Sequence, residues 1–162
     1  MYMTKAVFVS HATEDQTIAA DVCAMLEARG ITCWIAPRDV APGAQWDDAI
    51  VDAIQSSRAF VLILSAAANE SSYVKNEVNH AFAAKKPIFT FRIEDVPPGK
   101  SLGFYLARHH WMDGFPPPID DKVDRLAVSI NALLGRETPS SLFTGAGAPP
   151  SARTEADASL AA

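Results

Sequence analysis

Apolar residues along this chain fall into two alternating layouts, short unbroken runs and stripes spaced three and four apart. The runs Lys5–Ser10, Ile31–Ile35, Ala59–Leu64, Pro87–Arg92 and His109–Met112 are too short for helices and predict strands. The third, Ala-Phe-Val-Leu-Ile-Leu, has no polar position at all, as expected of a parallel strand buried on both faces. The stripes predict helices. Ile18, Val22, Met25 and Leu26 share one face behind a capping-box spacing, Thr13-x-x-Gln16, and Gly30 closes that helix. Trp46, Ile50 and Ile54 mark a second helix from about Ala44. A third starts at Ser71 or Ser72, turns Val74, Val78, Ala81 and Phe82 inward, and ends at Lys85-Lys86 before Pro87, where positive charge suits a helix C-terminus. One helical turn is expected around Leu102–Leu106. A last helix carries Val123, Leu126, Ala127, Ile130, Leu133 and Leu134 and stops at Gly135.

Five alternations of strand and helix predict a five-stranded parallel sheet with helices on both faces, a flavodoxin-like three-layer α/β sandwich with right-handed crossovers. The folded unit is expected over 1–135. Over 136–162 Pro, Ala, Ser and Gly dominate, and this stretch reads as a disordered tail or linker.

A net charge of −5 gives no electrostatic basis for binding nucleic acid or an anionic membrane. No run spans a bilayer and the N-terminus lacks a signal-peptide layout, so a cytoplasmic protein is expected. Cys23 and Cys33 have neither metal nor redox spacing and are expected as buried thiols. The histidines, His11, His80, His109 and His110, show no metal-ligand spacing. G-x-G-x-x-G and G-x-x-x-x-G-K-[ST] are both missing, which removes the Rossmann pyrophosphate turn and the P-loop. Glu14-Asp15 after the first strand argues against a flavin-phosphate loop, and a phosphorylatable receiver would have its acids at the strand end itself.

Tyr73 and Glu77 lie one helical turn apart just beyond the third strand, so a ring and a carboxylate share a face where open α/β sheets bind ligands. Glu77 stands beside the inward stripe of its helix, and composition alone favours an ordinary solvated glutamate.

Three segments then stand out together: Phe8-Val9-Ser10-His11-Ala12-Thr13-Glu14-Asp15, Arg38-Asp39-Val40-Ala41-Pro42-Gly43 and Ser72-Tyr73-Val74-Lys75-Asn76-Glu77. In this order, each at a strand end, they resemble the TIR (Toll/interleukin-1 receptor) domain family in its bacterial form. Phe104-Tyr105-Leu106 followed by His110-Trp111 adds to the likeness, which covers about Thr4 to Leu134. The resemblance implies an NAD+ glycohydrolase with Glu77 as catalytic residue and NAD+ as substrate, without a cofactor or metal. It also implies activation by assembly with other TIR domains through the loop carrying Arg38 to Gly43, in a bacterial defence or immune signalling pathway.

By the same resemblance Phe8, Ser10 and His11 line the pocket at the first strand's end, where loop amides could meet a pyrophosphate. Arg38 could pair with a phosphate and Asp39 with a ribose, or the two could simply order a turn. Trp46 could close the cleft or pack. Tyr73 would stack on a ring or sugar in place of the family's usual Trp. Two other functions fit the pattern: a non-catalytic TIR adaptor, and a nucleoside deoxyribosyltransferase-like enzyme whose carboxylate attacks C1′ covalently.

Overall fold

The computed structural model describes residues 5–106 and 110–135, so the expected tail and the start of the fifth strand at His109 lie outside the described residues. Strands β1 (Val7–Ser10), β2 (Cys33–Trp34), β3 (Ala59–Leu64), β4 (Ile88–Arg92) and β5 (Trp111–Asp113) form one parallel sheet in the order β2-β1-β3-β4-β5. This is the flavodoxin-like order expected, with its topological switch between β1 and β3.

Strand side chains alternate in direction, so the sheet feeds two cores. Val7, Val9, Val61, Ile63, Phe89 and Phe91 face one layer, where α1 (Gln16–Ala28) and α6 (Asp120–Leu133) cover them. Phe8, Phe60, Leu62, Leu64 and Ile88 face the other, covered by α2 (Trp46–Ser56) and α4 (Ser72–Ala83). Every residue of β3 is buried, as its unbroken apolar run predicts. Cys23 and Cys33 are buried free thiols.

Four local expectations are corrected. The capping box does not form, because residues 13–15 make a 3-10 turn and no side chain caps α1. The Asp15 carboxylate instead accepts from the hydroxyl of Ser65. β2 is two residues long, since the Asp39 carboxylate takes the Ile35 amide at 2.9 Å and so ends the ladder. A short helix, α3 (Ala66–Glu70), follows β3, capped by Ser65, which accepts from the Ala68 amide. Phe82 and Leu133 are not inward. Both are about half exposed, and the Phe82 ring leans on Tyr105 at 5.0 Å, just beyond α5 (Lys100–Gly103).

Candidate functional site at the switch point

β1 and β3 pair in register through Ser10 and Leu62, and their connections then diverge to opposite faces of the sheet. The crevice this leaves lies beyond the strands' carboxyl ends, where open α/β sheets take ligands. Into it α4 brings Glu77. The helix starts where it does because the Ser71 hydroxyl accepts from the Val74 amide, and burial of Val74, Val78 and Ala81 fixes its rotation. With those three packed down, Tyr73 and Glu77 fall on the flank facing α2.

Glu77 is largely buried, and the Ser10 hydroxyl, itself 1% exposed, donates to Glu77 Oε1 at 2.6 Å. Burial pushes the carboxyl up from its ordinary value to about 7, against the Ser10 hydrogen bond and the nearby His11, which both favour the ionised form. A carboxylate divided between its two charge states near neutrality, on a cavity wall, is the pattern of a functional acid.

Two cavities meet at this side chain. One, of about 470 Å³, sits over the β1 end and is walled by Phe8, His11, Pro37, Trp46, Tyr73 and Glu77. The other, of about 750 Å³, runs between α2, α4 and α5 and shares Trp46, Tyr73 and Glu77 with the first. Its remaining wall is mixed, with Asp47, Lys75, Asn76, Asn79 and His80 among its polar groups and Val51 and Tyr105 among its apolar ones.

The residues singled out from the sequence divide into three groups. Glu77, Tyr73, Trp46, His11 and Phe8 reach the first cavity. Trp46 and Tyr73 stand 45% and 68% exposed at its mouth, so Trp46 belongs to the cleft rather than to the core. Phe8 contributes a buried floor, stacked between Trp34 and Phe60 at 5.2 and 5.4 Å. Ser10 stands behind Glu77 and spends its hydroxyl on the carboxylate, which suits it to position Glu77 rather than to meet a ligand. His11 bridges two loops, its ring nitrogens 2.8 Å from the Ala12 carbonyl and 3.1 Å from that of Ala36.

Arg38 and Asp39 are not brought to either cavity beside Glu77. The Arg38 guanidinium grips both Glu27 carboxylate oxygens at 3.1 and 2.8 Å, the Cys33 carbonyl at 2.8 Å and Asp39 at 2.8 Å. Glu27 and Asp39 raise its already high pKa further. The two residues therefore staple the 36–43 loop to α1, and neither a phosphate contact for Arg38 nor a ribose contact for Asp39 follows from this geometry.

Sequence reasoning passed over Lys75, Asn76, Asn79 and His80. The signal was present, since all four lie on α4 within one turn of Glu77, but only the packing of α2 and α5 shows that they face a cavity. Among the described residues no cluster of His, Cys, Asp and Glu could hold a metal ion, and no helix is long and apolar enough to cross a membrane.

A family model described as TIR domain matches residues 7–127. Among curated proteins, a stimulator of interferon genes protein from Magallana gigas is 29% identical over 102 residues, which is 56% of this chain and 25% of that protein. The chain thus spans about a quarter of this relative's length. Among solved structures, the TIR domain of the Toll-related receptor TRR-2 from Hydra magnipapillata superposes with a TM-score of 0.63 at 19% identity, covering 82% of this chain and 98% of that one. A metazoan TIR-STING receptor from C. gigas gives 0.57 at 23% identity, covering 80% and 42%. The TIR domains of the activated Roq1 resistosome give 0.53 at 17%, covering 83% and 86%. At these identities the structural likenesses speak for the fold.

Proposed function

Since the chain belongs to the TIR domain family, we propose that it cleaves the nicotinamide–ribose bond of NAD+, with Glu77 as the catalytic carboxylate. The observation that carries this reading is Glu77 itself, held by a buried serine against a cavity at the sheet's switch point.

The chemistry asks little of the protein beyond charge in the right place. Nicotinamide leaves C1′ with the bonding electron pair and departs neutral, so it needs no proton donor, while positive charge gathers on the ribose. An ionised Glu77 beside the sugar stabilises that oxocarbenium-like transition state, the more so in a cleft partly closed to water. Ser10 occupies Oε1, which leaves Oε2 to accept from a ribose hydroxyl. Water then adds to C1′ and loses a proton, giving ADP-ribose, or a nucleophile within the ADP-ribose adds instead and gives a cyclic isomer. Tyr73, one turn before Glu77 at the cavity mouth, offers its ring to the nicotinamide or the sugar. NAD+ is substrate in this scheme, and no cofactor takes part.

The setting we propose is bacterial defence or immune signalling in the cytoplasm, with copies of the domain assembling to become active. A second reading, a non-catalytic adaptor that binds other TIR domains, is favoured by the exposure of Tyr73 and Trp46, two large rings a partner could cover. Chromatographic detection of nicotinamide released from NAD+ by concentrated protein separates the two. Wild type should release it, and Glu77→Gln should do so at least about a hundredfold more slowly, the usual cost of losing a preorganised charge in a transition state. Intact self-association with no release from wild type would favour the adaptor.

A further inference from the structure

The two cavities that meet at Glu77 differ in chemistry, and the difference bears on how a ligand lies. Among the described residues the cavity over β1 has no Lys or Arg in its wall, its one basic side chain being His11, which is held between the Ala12 and Ala36 carbonyls. The larger cavity has Lys75, with Asn76, Asn79 and His80 on the same helix, while its acids, Asp47 and Glu77, also line the cavity over β1.

Helical geometry orders these groups. At 100° per residue, Lys75 and Glu77 stand at opposite lips of the stretch of α4 that faces the cavity, and Asn79, Asn76 and His80 lie between them. Lip to lip, the separation is on the order of 10 Å, a helix diameter with side chains. Lys75 is half-buried, and its ammonium makes no hydrogen bond or ion pair with the described residues. An ammonium on a cavity wall with no partner among the described residues can take a phosphate as its counter-charge. Each cavity is separately large enough for half of a dinucleotide, since small-ligand sites run from roughly 300 to 1,000 Å³.

We propose that the cavity between α2, α4 and α5 is a phosphate subsite, in which Lys75 binds the pyrophosphate of a dinucleotide whose reacting ribose lies at Glu77. The choice of dinucleotide rests on the reading of Glu77 given above. The polar groups between the lips, the Asn76 and Asn79 amides and the His80 ring, are donors that a phosphate oxygen or the second ribose can use. Lys75 is a binding and specificity residue in this arrangement and takes no part in bond cleavage.

ADP isolates the subsite, because it carries the pyrophosphate without nicotinamide, and adenosine is its phosphate-free control. Calorimetric titration of the whole chain at low salt should show ADP binding more tightly than adenosine. Lys75→Ala should weaken ADP binding about tenfold, the worth of one charge-assisted hydrogen bond, while adenosine is unaffected. Lys75→Arg should retain most of the ADP affinity. Equal ADP affinity in wild type and Lys75→Ala, or ADP binding no tighter than adenosine, overturns the subsite. Loss of ADP affinity in Lys75→Ala with no nicotinamide release by wild type sustains the phosphate site and removes the glycohydrolase reading, so the two stand or fall separately.

Discussion

Glu77 carries opposing demands within one side chain. Burial favours its neutral form, whereas stabilising a cationic sugar requires the ionised one, and Ser10 and His11 shift the balance toward charge. Because its pKa in the fold lies above the ordinary value of 4.5, the native protein binds this proton more tightly than the unfolded chain does. The associated stability is fully present below about pH 4.5 and lost as pH rises through about 7. Glu77→Gln, which cannot ionise, should therefore resist urea better than wild type at pH 8, by at most about 3 kcal/mol, and match it at pH 4. Ser10→Ala removes a hydrogen bond to the ionised form. Its pH–rate profile should shift to higher pH than wild type, whereas a serine that merely packs would leave the profile in place. The pairing of Tyr73 with Glu77 was legible from their spacing of four. The Ser10 bond was not, because it joins residues 67 apart and depends on how closely α4 settles over β1.

At the scale of elements, periodicity located every strand of the sheet and, among the described residues, five of the six α-helices, α3 being the exception. That helix escaped notice because five residues cannot show a period, although Ser65 ahead of three alanines is a capping signal on a strong helix former. The failed capping box has the converse cause. Thr13 and Gln16 have the right spacing, but a tertiary partner, Ser65, holds Asp15 and the entry turn tightens to a 3-10 form. The 36–43 loop shows the same override, since Arg38, a plausible phosphate ligand by motif, is consumed by Glu27 and Asp39. Arg38→Ala should cost no more than about 1 kcal/mol, because its ion pairs are half exposed, and it should speed amide exchange across the loop. KM for NAD+ should change little. A large rise in KM with unchanged loop exchange would place Arg38 on the substrate instead.

For the whole molecule, five alternations of strand and helix were enough to give the sheet and its layers, and the match of residues 7–127 to the TIR domain model agrees with the motifs at the strand ends. What the pattern could not give was the shape of the space above the sheet, which is set by three helices distant in sequence meeting around Trp46, Tyr73 and Tyr105. With Trp46 and Tyr73 exposed, the cleft is incompletely dried in a single copy. Covering by neighbouring copies would strengthen the charge interaction at the ribose. Specific activity should accordingly rise with protein concentration. Activity proportional to enzyme down to nanomolar levels would argue for a self-sufficient monomer.

The most direct test is the pH dependence of nicotinamide release from NAD+ by concentrated wild-type protein beside Glu77→Gln. Wild-type activity should climb as pH rises through about 7, following ionisation of Glu77, and the variant should remain at background throughout. Undiminished release by Glu77→Gln, or a wild-type rate that does not change between pH 5 and pH 9, would contradict the role assigned to this carboxylate.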